Sequence, residues 1–215
     1  SLDSEIGQKL DYAFSPVLGY LTCCPTNVGT GMRASVLMHL PALALLEEIQ
    51  PVVNGLAKIG LMVRGLWGEG SDMAGHMFQV SNQITLGKEE FEIVDHLEHI
   101  VKELVEHEVH ARERLLEKNE SLLKDHVGRA RGILANACIL SSREALDLLS
   151  ALRLGTDVGL LDEYEIAGID ELLLLTQPAH LQMLEGSRLS TEERDEVRAR
   201  RVSRFLRKFK IEKES

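Results

Sequence analysis

The sequence predicts an α+β protein: an antiparallel sheet flanked by helices, followed by an all-α carboxyl-terminal domain. Three observations carry this. Short apolar runs bounded by glycine or proline recur at 18–23, 34–40, 59–64, 77–81 and 83–86, lengths that suit strands. From Lys88 the apolar spacing turns helical. After Asn119 no strand-like run remains, which places a boundary near residue 118, between a mixed part (1–118) and a helical part (119–215).

In chain order, residues 1–16 are polar and mixed, with Leu10, Tyr12, Ala13 and Phe14 as a packed lead-in that Pro16 ends. The run 18–23 leads into a loop, Cys24-Pro25-Thr26-Asn27-Val28-Gly29-Thr30, and the run 34–40 leaves it. Pro41 suits the first turn of a helix. Leu43, Leu45, Leu46, Ile49, Val52, Val53 and Leu56 continue at helical spacing, with a kink expected at Pro51. The strand 59–64 runs into a glycine-rich loop, Gly65-Leu66-Trp67-Gly68-Glu69-Gly70-Ser71-Asp72; 77–81 and 83–86 read as a returning hairpin or bulged pair. Phe91, Val94, Leu97, Val101, Leu104 and Val105 mark one face of a long helix reaching Glu117. Segments 122–137, 142–153, 165–175 and 190–209 read as helices, punctuated by Gly155, Gly159, Gly168 and Gly186.

The bulk numbers narrow the function classes. An apolar fraction of 44% over 215 residues supports a real core. A net charge of −10 argues against direct nucleic-acid binding, which needs a basic face. No run approaches the roughly 20 apolar residues of a membrane span, and no secretion signal opens the chain. The first residue is not Met, so the true amino terminus is expected to be missing or processed. Three cysteines, Cys23, Cys24 and Cys138, make no disulfide framework and point to a reduced, cytoplasmic compartment.

Chemistry concentrates in the loop after residue 23. A cysteine acts as its thiolate and needs nearby positive charge or backbone donors to ionise. Cys24 has Arg33 downstream and is expected to face free N–H groups of Val28, Gly29 and Thr30; Cys23 and Cys138 read as small buried apolar groups. Arg33 and Arg64 each stand at a strand–loop junction beside glycines, where guanidinium groups suit phosphate oxygens, though either alone also suits a surface salt bridge. Glu69 and Asp72, in the glycine-rich loop, are placed to take a proton or hold a cationic substrate, or are solvated loop acids. Neither a P-loop nor a Rossmann fingerprint is present. His96, His99, His107 and His110 lie on the long helix, but His107-Glu108-Val109-His110 is one residue short of a zinc motif, so no metal site is expected. In the last helix Ser190-x-x-Glu193 is a capping box. Arg194 and Arg198, four apart, share a face, and Asp195 lies alongside: a pair to grip a phosphate with a partner for a cation, or else a solvated basic helix.

Cys24-Pro25-Thr26-Asn27-Val28-Gly29-Thr30 resembles the signature of the phosphagen (ATP:guanidino) kinases. Arg33-Ala34-Ser35-Val36, the Arg64-Gly65-x-x-Gly68-Glu69 loop and Val80-Ser81-Asn82 support the likeness, which covers residues 10 to about 210. Glu69-Gly70, where metabolite kinases of the family carry Glu-His, and Arg194-Asp195-x-x-Arg198-Ala199 resemble the bacterial protein-arginine kinases within it. The resemblance implies a phosphagen-kinase catalytic lobe and ATP, with Mg²⁺ brought by the nucleotide. It implies ATP-binding segments at Arg33, Ala34, Ser35, Val36 and Leu37 and at Arg64, Gly65, Leu66, Trp67, Gly68 and Glu69. Cys24 would lie near the acceptor guanidinium, Glu69 would position and deprotonate it, and Asp72 is a second candidate. Arg194, Asp195, Arg198 and Ala199 would form a phosphoarginine pocket.

The partners so implied are proteins with exposed arginine, a heat-shock repressor and a Clp ATPase, with a homo-oligomer expected and neither nucleic acid nor membrane. The family's amino-terminal half, with its Asn-Glu-Glu-Asp loop, catalytic glutamate and further arginines, is not found, so residues 1–215 alone are expected to be a poor kinase or none. Two alternatives stay open: a phosphoarginine-binding module without catalysis, and a kinase for a free guanidino metabolite.

Overall fold

The computed structural model describes residues 2–66, 73–162 and 164–212. The elements run α1 (Leu2–Gly7), β1 (Phe14–Ser15), β2 (Gly19–Tyr20), β3 (Ser35–His39), α2 (Pro41–Leu45), α3 (Ile49–Lys58), β4 (Leu61–Gly65), β5 (Met77–Asn82), α4 (Glu90–Lys118), α5 (Glu120–Asn136), α6 (Ser142–Asp157), α7 (Ile166–Leu175), α8 (Pro178–Glu185) and α9 (Thr191–Glu212). This is the α+β arrangement with an all-α continuation that the sequence predicts. The chain forms two compact units, Ser1–Met38 with Ile49–Ser71 and Phe78–Glu106, and His39–Glu48 with Asp72–Met77 and His107–Ser215.

In the first unit, β4 and β5 pair antiparallel, with Arg64 opposite Gln79 and Gly65 opposite Phe78. The three-stranded sheet has the order β3-β5-β4. Leu61, Phe78 and Val80 are its most buried apolar side chains, and Phe78 and Val80 lie at alternate positions of β5 as the pleat requires. A separate two-stranded ribbon, β1-β2, brings the Tyr12 and Phe14 rings edge-on to Tyr20, at centroid distances of 5.7 and 5.3 Å.

Several local expectations are corrected. The run 18–23 is strand only at Gly19–Tyr20, because Gly19 has φ +78° and the Thr22 hydroxyl donates to the Cys24 carbonyl (2.6 Å), turning the chain. Pro51 does not kink a helix; the break falls at Leu46–Glu48, where Glu47 has φ +60°, and Pro51 sits in the first turn of α3, where its missing N–H costs nothing. Residues 83–86 are not a strand: Gln83 N–H donates to the Gly60 carbonyl, and the segment then serves the loop at 24–30. On α4 the buried face is Ile93, Leu97, Ile100 and Leu104, offset from the expected one, and Phe91 is 67% exposed.

The second unit is built on α5 to α9. Leu123, Val127, Ala130 and Leu134 of α5 and Ala145, Leu146, Leu149 and Leu152 of α6 are buried, and α6 also packs on α7 and α9. Gly155 and Gly168 are not punctuation but lie inside α6 and α7. A Cβ on Gly155 would come within 2.5 Å of Val127 Cγ1, and one on Gly168 within 3.0 Å of the Phe205 ring, so both are glycine because neighbouring side chains occupy the space. The short α8, opened by Pro178 and closed by Gly186 at φ +66°, escaped the periodicity. At the amino end of α2, the buried Glu108 carboxylate accepts the N–H groups of Ala42 (3.0 Å) and Leu43 (3.1 Å) and pairs with Arg112 (2.8 Å).

Candidate functional site

The signature loop is held from beneath by one side chain. The Thr85 hydroxyl lies 3.0 Å from the Thr26 carbonyl and 2.9 Å from the Val28 carbonyl, and the Thr85 carbonyl accepts the Thr30 N–H. Gly29 has φ +116°, and a Cβ there would strike the backbone of Thr85 and Leu86, so only glycine lets the segments approach this closely. Pro25–Asn27 form a single 3₁₀ turn capped by Cys24. The expected free donors are not free: Val28 N–H goes to Pro25, Gly29 N–H to Tyr20 and Thr30 N–H to Thr85. Thr26 acts in their place. Its hydroxyl lies 3.0 Å from Cys24 Sγ, and that bond first, then its N–H, holds the exposed thiol below its ordinary pKa. Cys23 and Cys138, expected to be buried, are exposed.

From this loop the chain passes Met32 to Arg33 and β3. Asn82 clamps the passage: its side-chain carbonyl accepts the Ala34 N–H (2.8 Å), and its amide donates to the Met32 carbonyl (3.0 Å). Arg33 Nη2 donates to Ser81 Oγ (3.1 Å), one residue along β5. Arg64 rises from β4 with its Nε–H directed at Met62 Sδ (3.0 Å). Arg33, Met62 and Arg64 line a cavity of about 690 Å³ with Thr26, Asn27, Lys58, Gly60, Asn82, Gln83 and Thr85. The structure thus brings the signature loop and both predicted arginines to one place. Three cations line the cavity, and no carboxylate does among the described residues.

Of the other residues expected to bind nucleotide, Ala34 and Val36 are half-buried, Gly65 is buried, Leu66 is half-buried, and Ser35 and Leu37 are exposed. Trp67, Gly68, Glu69 and Asp72 lie outside the described residues. Sequence reasoning missed Lys58, Asn82's clamping role and Thr85. Lys58 is an ordinary helix-end cation until α3 and β4 place it beside Arg33 and Arg64, and Thr85 gives no local signal.

In the last helix the capping box forms: Glu193 N–H donates to Ser190 Oγ (3.2 Å) and Ser190 N–H to Glu193 Oε2 (2.8 Å). Arg194 and Arg198 are not side by side on a surface. Arg198 is 1% exposed, and its guanidinium donates to the Thr176 carbonyl (2.9 Å), the Leu140 carbonyl (2.6 Å), Ser142 Oγ (2.8 Å) and Asp195 Oδ1 (2.5 Å). Ala199 is fully buried. Arg194, half-buried, donates to Thr191 Oγ1 (3.0 Å). The motif therefore divides: Arg198 faces inward and fixes Asp195, while Arg194 faces out. Among the described residues no group of three His, Cys, Asp or Glu could hold a metal ion, and no helix is long and apolar enough to cross a membrane.

Residues 1–111 match the ATP:guanido phosphotransferase C-terminal catalytic domain, and the chain belongs to that family. Residues 120–215 match the C-terminal domain of the protein-arginine kinase McsB. A protein-arginine kinase of Halothermothrix orenii is 47% identical over 205 residues, covering 95% of this chain and 59% of the relative. One of Halalkalibacterium halodurans is 48% identical over 214 residues, covering 100% and 59%. The chain thus spans about three fifths of the length of these relatives. A crystal structure of a lombricine kinase aligns with 32% identity over 54% of this chain and 30% of its own, at a TM-score of 0.43.

Proposed function

We propose that the protein is an ATP-dependent protein-arginine kinase, moving the γ-phosphoryl group of ATP to a guanidinium nitrogen of an arginine in a protein. The observation that carries this is the cavity in which Thr26 and Asn27 of the signature loop meet Arg33, Lys58 and Arg64. Guanidinium groups there suit phosphate oxygens, and transfer between a polyphosphate and a nitrogen nucleophile depends mainly on positioning and charge stabilisation. A lining without carboxylates among the described residues fits Mg²⁺ carried on the phosphates rather than in a protein cage. The ion would neutralise phosphate charge there.

In this reading Arg33, steadied by Ser81, and Arg64 hold the phosphates, and Cys24, as thiolate, sets negative charge near the acceptor. Glu69 takes the guanidinium proton as the new N–P bond forms and the bond from the γ-phosphorus to its bridging oxygen breaks; Asp72 is the second candidate. The test uses the protein as its gene encodes it. Glu69→Ala is expected to leave ATP binding largely intact and to lose formation of acid-labile phosphoarginine. Weakened ATP binding with transfer retained would refute the assignment.

A second site follows from Arg194 and Asp195. We infer that free or protein-borne phosphoarginine docks there, with phosphate to Arg194, guanidinium to Asp195, and Arg198 holding Asp195 in place. Equal phosphoarginine affinities for wild type and the Arg194→Ala/Asp195→Ala variant would remove that reading. The functional boundary we propose stays near residue 118, supported by family matches that end at 111 and resume at 120. A cytosolic setting in protein quality control and stress response, with a Clp ATPase and a heat-shock repressor as partners and a homo-oligomeric state, completes the proposal on the strength of family resemblance.

A further inference from the structure

A buried polar chain in the second unit has no part in either site above. Ser150 of α6 is fully buried, with its hydroxyl 2.8 Å from His39 Nε2 and 3.0 Å from His76 Nδ1. One hydroxyl proton cannot serve both bonds, so the chain must have a direction. Arg153 sets it. Its Nη1 lies 3.1 Å from His39 Nδ1, and a guanidinium only donates. His39 therefore accepts at Nδ1, carries its proton on Nε2 and donates to Ser150, and Ser150 donates to His76 Nδ1. Both rings are neutral. Burial first, then the Arg153 charge, pushes His39 down to about 3, and burial lowers His76. Arg153 is itself fixed by Asp170 (2.6 Å) and Asp157 (3.3 Å).

The two histidines hold particular places. His39 is the last residue of β3, and His76 immediately precedes β5, its neighbour in the sheet. His76 and Gly75 both have positive φ, +53° and +66°, and the Leu40 N–H donates to the His76 carbonyl (3.0 Å). Asp147, one turn before Ser150 on α6, accepts the Gly75 N–H at 2.6 Å. A non-glycine residue in the left-handed region persists only where its surroundings over-determine it. An apolar trio could fill the same volume without desolvating a hydroxyl and two imidazoles; what the polar chain adds is a single permitted geometry.

We propose that Ser150, with Asp147, is a positioning residue for phosphoryl transfer: it joins the end of β3 to the start of β5 through two neutral histidines and so fixes the register at which Ser81 meets Arg33. This rests on the kinase reading. It assigns to the helical domain a structural share in building the nucleotide site, carried along the strands themselves.

The test uses the protein as its gene encodes it. Ser150→Ala is expected to raise the KM for ATP or lower kcat by about tenfold, leaving the KM for acceptor protein unchanged, while Ser150→Thr, which keeps the hydroxyl, stays within about twofold of wild type. A parallel pair covers the case in which Ser150→Ala fails to fold. His76→Asn places an acceptor where Nδ1 was and tolerates positive φ, so it is expected to be near wild type; His76→Gln moves the acceptor and is expected to be impaired. Amide hydrogen exchange in β3 and β5 is read on the same variants, with faster exchange expected in Ser150→Ala and His76→Gln only. Wild-type kinetics in Ser150→Ala, or equal behaviour of the two His76 variants, would overturn the proposal. If the wild-type protein transfers nothing to arginine, the kinase reading fails by itself. Exchange then decides the strand-joining role, and unchanged exchange in both disruptive variants ends it.

Discussion

Thr26 acts on Cys24 twice, through its hydroxyl and through its N–H, and both bonds favour the thiolate. Removing the hydroxyl should raise the thiol toward its ordinary range. Thr26→Ala is therefore expected to slow alkylation of Cys24 at neutral pH and to shift the pH–rate profile upward; an unmoved profile would show that Thr26 does not tune the thiol. Arg198 makes the opposite kind of residue-scale statement, since its charge is buried and each of its three nitrogens has a partner. Arg198→Met strips partners from the Leu140 and Thr176 carbonyls and leaves Asp195 without its cation, so a loss of about 3–5 kcal/mol in urea unfolding is expected. The sequence made Cys24, Arg33 and Arg64 legible because proline, glycine and cysteine there have strong local meaning. It did not reveal that Arg198 turns inward, because a spacing of four says that two side chains share a face and not which way the face looks.

Helices show where local propensity and packing part company. Gly128 and Gly155 both lie inside helices that pack on each other, α5 and α6. A Cβ at Gly128 meets nothing within 4 Å, so Gly128→Ala is expected to stabilise by about 0.5–1 kcal/mol through helix propensity. At Gly155 the same change drives a methyl into Val127, and a net loss of about 1–3 kcal/mol is expected. Thermal unfolding of the two variants should give shifts of opposite sign, and shifts of one sign would contradict the packing argument. The long helices were readable from their period. The break at Leu46–Glu48 was not, because the apolar spacing runs through it unbroken and only the left-handed Glu47 reveals it. The expected strand at 83–86 failed for a related reason: its residues alternate acceptably, but Thr85 is committed to the loop carbonyls.

For the molecule as a whole, the half-buried histidines set an acid limit. His39 is held at about 3, against roughly 6.5 in an unfolded chain, and His76 and His126 are displaced in the same direction. Between those values the unfolded chain binds more protons than the folded one. The neutral His39 ring thus contributes stability that is fully present above about pH 6.5 and is lost as the pH falls toward 3, at up to roughly 1.4 kcal/mol per pH unit, and His76 and His126 act in the same direction. Urea midpoints measured from pH 7 down to pH 4.5 should fall steadily, and a flat profile would refute the neutral chain. His39→Gln, which can still donate to Ser150, should flatten part of that fall. The pairing of His39 and His76 could not be read from the sequence, where they stand 37 residues apart in unrelated segments. The same chain bears on ancestry. Ser150 and Asp147 of the helical domain find their partners at His39, Gly75 and His76, all within the residues matched to the catalytic family. A helical extension with such needs is not a portable cassette: spliced behind a catalytic domain lacking those two histidines, it would leave the Ser150 hydroxyl without the partners it has here.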